Sequence, residues 1–155
     1  MKGQTPVLRV NPVRDKINVM GGLSWDGRVF AQITTQKVTG EDTIAFLKYV
    51  LDQESGSIVM VLDNSRLHRN ALVSAFVAGV DRLEVVFLPS YAPELNPIEL
   101  LWGWMKGFWL GNRVVKSVVE LFELWRDGLA VVTGLPGLVQ GFFGRLEKLL
   151  EVSSI

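Results

Sequence analysis

Two short apolar runs constrain the fold of this chain most strongly. The first, IVMVLD, covers residues 58–63 after a Gly-Ser segment, and the second, LEVVFLP, covers residues 83–89 and stops at a proline. Both runs are short and rich in β-branched residues, which predicts two strands, each buried on both faces. The intervening segment, HRNALVSAFVAGV, is typical of a helix. A strand, a helix and a strand in this order predict a parallel pair with a crossover helix.

The segments before these runs predict a hairpin and a further helix. KINVMGGLSWDGRVFAQITTQ has apolar runs on both sides of Asp26 and Gly27, and Asp-Gly between such runs is a strong hairpin signal. GEDTIAFLKYVLDQ places Ile44 and Leu47 at helical spacing. Residues 6–10 are predicted to form a short strand. A hairpin followed by a strand, a helix and a strand predicts an α/β fold, with a mixed sheet flanked by helices.

The remainder of the chain is predicted to be helical. One helix is expected from about residue 97 to 110, and two apolar stripes at helical spacing follow, separated by the break at residues 134–137. A length of 155 residues suits one domain. We predict a core over residues 1–112 and a helical C-terminal extension of the same domain over residues 113–155.

Composition narrows the classes of function. Sixteen Lys and Arg balance sixteen Asp and Glu, which argues against strong non-specific DNA binding by this chain alone, because phosphate contacts need clustered cations. The absence of cysteine excludes disulfides and thiolate metal sites. No unbroken apolar run approaches the roughly 20 residues of a spanning helix. We therefore expect a cytoplasmic protein without membrane association. The 48% hydrophobic content favours a surface that a partner covers.

Asp63 is the first candidate for chemistry. It ends the first apolar run, and the carboxyl ends of strands in α/β sheets are where sites tend to form. The following NSRLHRN adds Asn64 and His68, the chain's only histidine. On this local evidence the simpler interpretation is structural, with Asp63 or Asn64 beginning a turn and capping the next helix.

Glu99 is the second candidate, and it too has a structural interpretation. Asn96 could be the N-cap, Pro97 the first helical residue and Glu99 the third residue of a capping box. Capping alone leaves the preceding PSYAP unexplained. Pro89 and Pro93 each fix φ and disfavour helix in the residue before them, which holds the approach extended. Such a segment suits a helix start that must be placed accurately.

The tryptophans at positions 102, 104 and 109 allow two interpretations. They could form a stacking surface for nucleic acid. We favour the commoner alternative, in which they lie in the core or at a protein interface.

Taken together, LDNSRLH and LPSYAPELNPIELLWGWMKG resemble the catalytic domain of DDE transposases, and within them the insertion-sequence-630 group of the mariner superfamily. In that family, Asp-Asn with a His five residues after the Asp, then Leu-Pro-x-Tyr-Ser-Pro-Glu-Leu-Asn-Pro-Ile-Glu, carries two metal-binding carboxylates. Asp63 and Glu99 match those two positions, and Ala92 stands where Ser is usual. The resemblance is dense over residues 58–107, looser before them, and says little about residues 115–155.

The resemblance implies an RNase H-like fold and metal-dependent cleavage and transfer of DNA strands at transposon ends. It implies that Asp63 and Glu99 are catalytic and hold Mg²⁺ or Mn²⁺, since such ions prefer hard oxygen ligands. It further implies substrate contacts for Asn64, His68 and Asn96. His68 is expected one turn into the helix after the first run, where a packed structural histidine is an equal alternative.

Two family features have no match in the sequence. The third carboxylate is an Asp on a first strand that normally precedes the segment Gly3-Gln4-Thr5-Pro6, and the usual helix-turn-helix region is also missing. Asp15 and Asp26 are poorly placed substitutes, in a loop and in a turn. We therefore expect the C-terminal part of a transposase, truncated at its first strand and inactive alone.

Such a fragment is expected to associate with other chains. We expect a homo-oligomer, or association with a full-length transposase or an N-terminal half, because a missing central strand exposes backbone edges and apolar faces. The tryptophans and the C-terminal helices are the expected contacts. The alternative function is a non-catalytic remnant acting as a dimerisation or inhibitory interaction module. A hydrolytic RNase H-like nuclease is a weaker third interpretation.

Overall fold

A computed structural model describes residues 16–153 of the chain. The strand predicted for residues 6–10, the segment 3–6 and Asp15 lie outside the described residues. In chain order, the elements are β1 (Asn18–Leu23), β2 (Val29–Thr34), α1 (Gly40–Gln53), β3 (Ile58–Leu62), α2 (Ala71–Ala78), β4 (Leu83–Phe87), a 3₁₀ turn (Pro93–Leu95), α3 (Pro97–Trp104), a π-helical turn (Met105–Leu110), α4 (Val118–Thr133) and α5 (Pro136–Ser153).

The predicted hairpin is confirmed. β1 and β2 are antiparallel, in a register that pairs Asn18 with Thr34 and Leu23 with Val29. The turn between them includes Gly27, whose φ of +94° is a conformation that residues with a side chain rarely adopt. Both faces of this hairpin are covered by other elements. Met20 and Phe30 pack on α1, while the residues of the opposite face, such as Val19, pack against the helices after residue 97.

The parallel strand pair is also confirmed. β3 and β4 run in parallel, Ile58 beside Leu83 and Leu62 beside Phe87, and α2 forms the crossover between them. Because the two strands are parallel and in this register, their carboxyl ends meet at one edge, which brings the following loops together. Within the described residues, the hairpin and this pair are separate two-stranded sheets. Residues 16–153 thus form an α/β fold with two small sheets, one antiparallel and one parallel, flanked by five α-helices. The predicted α/β class is confirmed.

One prediction about the parallel pair was wrong, because its strands are not buried on both faces. Ile58 and Met60 pack against α1 and α2, whereas Val59 is 64% exposed and Val61 is 53% exposed on the opposite face. Val86 of β4 is exposed as well. β-branched residues fit a pleated, half-buried surface, so a run of them indicates a strand without showing that both of its faces are covered. The apolar runs therefore predicted the strands correctly, but the prediction that both faces of the strands are buried was wrong.

The helices after residue 97 form the largest part of the core around the hairpin. Seven buried side chains from α3, α4, α5 and the π-helical turn form this cluster: Leu101, Met105, Trp125, Leu129, Val132, Val139 and Phe142. Trp102 meets Trp125 edge-on at 5.7 Å between ring centroids, and the indole of Trp109 donates a 2.8 Å hydrogen bond to the Leu124 carbonyl. The tryptophans at 102, 104 and 109 are thus packed residues, which agrees with the interpretation that we favoured.

The helix that begins at Pro97 continues to Leu110, as predicted, with its last turn widened into a π-helix. Among the described helices, no single one is long and apolar enough to cross a membrane. α4 and α5 together meet those criteria of length and composition, but they are bent by 83° at their break. The division of the domain between residues 112 and 113 stays a prediction.

Candidate functional site

A cleft of about 420 Å³ lies at the carboxyl edge of the parallel pair. It is lined by residues 63–66 of the loop after β3, residues 88–93 after β4, and Asn96 and Glu99 at the start of α3. Four of the five site residues predicted from the sequence line it: Asp63, Asn64, Asn96 and Glu99. The parallel register is what joins them, since each loop leaves the same edge of the sheet.

Asp63 begins the first loop with its side chain half exposed. Its Oδ1 accepts a 3.0 Å hydrogen bond from the Ser65 backbone N–H, so Asp63 does begin a turn. It does not cap the next helix, because Asn70 is the N-cap of α2 and accepts a 2.9 Å hydrogen bond from the Val73 N–H. The simple structural interpretation therefore explains only one oxygen of this carboxylate.

His68 does not lie one turn into α2, as we predicted. It lies in the turn before the helix, because α2 begins at Ala71, after its cap at Asn70. Its Nε2 is 3.5 Å from Asp63 Oδ1, and Nδ1 is buried without a hydrogen bond to any described residue. Burial lowers the pKa of His68 below its ordinary value, and the neighbouring Asp63 carboxylate offsets this only in part. The neutral imidazole of His68 therefore contacts Asp63 and does not line the cleft.

Asn64 ties the two strand-end loops to each other. Its amide nitrogen donates a 2.7 Å hydrogen bond to the Ser90 hydroxyl, and its amide oxygen accepts a 2.9 Å hydrogen bond from Arg69. The Arg69 guanidinium also lies 5.3 Å from the centre of the Phe87 ring. These contacts fix one wall of the cleft relative to the other. The prediction that Asn64 contacts substrate stays a prediction.

Asn96 is the N-cap of α3, as expected, and Pro97 is the first helical residue. The Asn96 side chain accepts a 3.3 Å hydrogen bond from the Ile98 N–H. The capping box does not form, since the Asn96 backbone N–H donates to the Pro93 carbonyl at 3.0 Å. Within residues 16–153 the exposed Glu99 carboxylate makes no hydrogen bond and no ion pair. Helix capping therefore leaves this side chain available for a ligand.

The sequence analysis did not single out several other residues of the cleft, and Arg66, Ser90 and Tyr91 are the most informative of them. Ser90 is the hydrogen-bond partner of Asn64, and nothing in the sequence signals that pairing. Tyr91 has a φ of 60°, the only positive φ among the described non-glycine residues. Its position between Pro89 and Pro93 was the available signal, because two fixed φ angles leave the intervening residues to make the turn.

The two carboxylates of the cleft suit a hard divalent cation. Asp63 offers oxygen ligands from the loop after β3 and Glu99 offers them from the first turn of α3, and both side chains are exposed to the cleft. Among the described residues, no cluster of three or more metal-binding side chains accompanies them. Asp26 is unsuited to this role, since it is engaged with Ser24 and Arg28 in the hairpin turn.

The described residues form an α/β protein with acidic residues at the carboxyl edge of a parallel pair. Its similarity to solved transposase structures assigns the fold to the RNase H-like class. The structure is similar to the crystal structure of the Mos1 strand transfer complex, with a TM-score of 0.75 and 16% identity over 97% of this chain and 46% of that one. It is also similar to the catalytic domain of Mos1 mariner transposase, with a TM-score of 0.69 and 13% identity over 88% of this chain and 72% of that one.

Residues 1–122 match the family of DDE superfamily endonucleases, and the chain belongs to this family. A curated relative, an uncharacterized protein of Sinorhizobium fredii (strain NBRC 101917 / NGR234), is 38% identical over 63 residues, or 41% of this chain and 44% of the relative. The matches thus reach less than half of that relative and of the Mos1 chain in the strand transfer complex.

Proposed function

We propose that Asp63 and Glu99 hold a divalent metal ion, and that the protein takes part in metal-dependent cleavage and transfer of DNA strands during transposition. The observation that carries this proposal is the presence of both exposed carboxylates in one cleft. The family match supports it, and the motif that contains both residues supports assignment to the insertion-sequence-630 group.

The metal is proposed to be Mg²⁺ or Mn²⁺. A structure titled as a Mos1 mariner paired end complex with Mn is among the similar structures, at a TM-score of 0.75, which supports a divalent ion of this kind. When bound, the metal would help to activate a water or a 3′-hydroxyl and to stabilise the leaving oxygen. The residues of the chain itself would position this chemistry. His68 would orient Asp63, and the proline-rich approach would hold Glu99 across the cleft.

A third carboxylate is needed to fix two metal ions at a defined separation of roughly 3.5–4 Å. Residues 16–153 contain no cluster of three metal-binding side chains. We propose that the third ligand comes from another part of the protein or from a partner chain. With Asp63 and Glu99 alone, we expect weak metal binding and a loss of activity by orders of magnitude, because positioning is much of what such a site supplies.

The proposed substrate is transposon-end DNA. The similar structures include a Mos1 paired-end complex with a left transposon end, at a TM-score of 0.63, which supports DNA as the partner. The net charge of zero means that residues 1–155 alone should bind DNA weakly. Asn96 and Asn64 are proposed to contact the DNA near the metal, and His68 is proposed to support this contact through Asp63. We propose a cytoplasmic location without membrane association.

A second candidate function is a non-catalytic interaction module that binds a full-length transposase or a second copy and inhibits it. The exposed valine face of the parallel pair, formed by Val59, Val61 and Val86, favours this candidate, because apolar surface of this kind is normally covered. The same face supports association into a homo-oligomer, or with an N-terminal half, in the catalytic case. Catalysis distinguishes the two candidates.

The test is a nicking and strand-transfer assay on transposon-end DNA in Mg²⁺ or Mn²⁺. The chain is assayed alone and together with a segment that carries an Asp-containing first strand. We expect activity only in the second case, and its loss in Asp63→Asn and Glu99→Gln. The matched controls are Asp52→Asn and Glu123→Gln, which alter exposed carboxylates outside the cleft. Strong activity of the chain alone would contradict the expected need for a third ligand. Activity that survives both cleft substitutions would contradict the proposed site.

A further inference from the structure

Tyr91 has a strained backbone conformation at the edge of the cleft. Its ring makes no aromatic, cationic or hydrogen-bonding contact with residues 16–153. Its φ of 60° lies in the left-handed region, which is uncommon for a residue with a large side chain. Such strain persists only where the surrounding structure enforces it, and it is concentrated at functional sites. The side chain is fully exposed, at 101% of its reference area.

The loop around Tyr91 is anchored on both sides, which explains how the strain is maintained. The Ser90 hydroxyl accepts the hydrogen bond from Asn64, and the Leu88 N–H donates a 2.8 Å hydrogen bond to the Leu62 carbonyl. Pro93 follows and begins the 3₁₀ turn. The backbone thus presents Tyr91 from a fixed position rather than from a loose loop.

Other exposed aromatic side chains of the described chain have ring partners. Trp25 is 63% exposed and lies 4.9 Å from the Phe143 ring, and Phe108 is 74% exposed and lies 5.2 Å from the Trp104 ring. The Tyr91 ring has no aromatic, cationic or hydrogen-bonding partner within residues 16–153. Both of its faces are therefore available to a planar ligand.

Arg66 lines the same cleft, and it is the one positively charged residue among the described residues of the lining. Its guanidinium makes no ion pair, hydrogen bond or ring contact with any residue in 16–153, although Asp63 is nearby in the chain. A guanidinium presents several donors in a planar fork that matches phosphate oxygens. The cleft thus combines an available cation and an available aromatic ring with the two carboxylates.

We propose that Tyr91 stacks on the base of an unpaired or terminal nucleotide next to the reacting phosphodiester, and that Arg66 binds a phosphate of the same strand. Bases inside a duplex are covered by their neighbours, so a protein ring can stack only on a base at a strand end or one that has been extruded. The ligand is therefore a single-stranded nucleotide at a DNA strand end. This inference rests on the proposed function, whose metal ligands it supplements with two substrate-binding residues.

The test uses a single-stranded oligonucleotide with 2-aminopurine at its 3′ end and fluorescein at its 5′ end, titrated with the chain in Mg²⁺. Fluorescein anisotropy reports binding, and quenching of 2-aminopurine reports stacking. Tyr91→Asn removes the ring but keeps a residue that tolerates the left-handed conformation. We expect the wild type to quench the fluorescence, and Tyr91→Asn to bind about 5- to 150-fold more weakly and to quench little at saturation. Tyr91→Phe should behave as the wild type.

Two further variants complete the test. One is a control for the loss of an exposed ring elsewhere on the surface, and the other tests the proposed phosphate contact. Phe108→Ala removes an exposed ring outside the cleft and should leave the binding and the quenching unchanged. Arg66→Gln should weaken binding and should lower the slope of log affinity against log salt by about 0.7, the value for one contact to a single strand.

The outcomes distinguish this inference from the proposal beneath it. Failure of the wild-type chain to bind the oligonucleotide overturns this inference, while metal binding that Asp63→Asn and Glu99→Gln abolish would leave the proposed metal site standing. Binding and quenching that persist in Tyr91→Asn overturn the stacking role alone. An unchanged salt slope in Arg66→Gln overturns the phosphate contact.

Discussion

The hairpin and the parallel pair differ in how much of their surface other elements cover. Residues such as Val19 pack one face of the hairpin against the helices after residue 97, and Phe30 packs the other against α1. Among residues 16–153, other elements cover the parallel pair on one face only, and Val61 on its other face is half exposed. The candidate site lies at the edge of this less covered pair. We therefore expect substitutions around the hairpin to affect stability most, and substitutions at the edge of the parallel pair to affect the proposed chemistry most.

The largest expected effect on stability comes from the core beside the hairpin. Leu101 is fully buried at the centre of that cluster, so Leu101→Ala removes packed methyl groups and leaves a cavity. We expect the free energy of unfolding to fall by about 2–5 kcal/mol in urea denaturation. Val61→Ala on the exposed face of the parallel pair should change it by less than about 0.5 kcal/mol. Equal losses would contradict the contrast between the two regions.

A smaller effect is expected from the close approach of α3 to the hairpin. A Cβ added at Gly21 would lie 2.6 Å from the Trp102 ring, whereas one added at Gly22 would lie 3.5 Å from the Phe46 ring, at ordinary contact distance. Gly21→Ala should therefore lower the free energy of unfolding by about 1–3 kcal/mol. Gly22→Ala is the matched control and should be close to neutral or stabilising. If Gly22→Ala is the more damaging, then the packing of Trp102 on the hairpin is described incorrectly.

The smallest effect concerns acid sensitivity near the site. Because burial lowers the pKa of His68 in the folded protein, the unfolded chain takes up a proton first as the pH falls. This histidine should therefore lower the free energy of unfolding as the pH falls through about 6.5, the ordinary value for histidine, and the contribution should be absent well above it. Denaturation of metal-free protein between pH 8 and pH 5 measures this, and His68→Gln should show the weaker pH dependence. An equally steep dependence in the variant would rule out His68 as its source.

The sequence was most informative where one local signal acts alone. Asp26-Gly27 identified the hairpin turn, and two β-branched runs identified the parallel pair. Both signals are local in the sequence, so they can be recognised without knowledge of any tertiary contact. They could not reveal the exposure of Val59 and Val61, because coverage depends on where distant helices pack.

The presence of Asp63 and Glu99 at one cleft was predictable from the sequence, but the local geometry around them was not. Asp63 and Glu99 follow from motif and strand-end position, and the cleft contains both. The prediction that His68 lies inside α2 was wrong because Asn70 is the N-cap, so the helix begins only at Ala71. The left-handed Tyr91 was missed because its conformation depends on contacts from another loop, including the hydrogen bond of Asn64 to Ser90.

The most direct test of the central claim is a crystal of the chain soaked in Mn²⁺, with the metal located by its anomalous scattering. We expect an anomalous peak in the cleft, with an oxygen of Asp63 and an oxygen of Glu99 each at about 2.1 Å from the ion. The peak should be absent from crystals of Asp63→Asn and Glu99→Gln, and it should remain in the control Glu123→Gln. An empty cleft at saturating Mn²⁺, or an ion that only one of the two carboxylates contacts, would contradict the account.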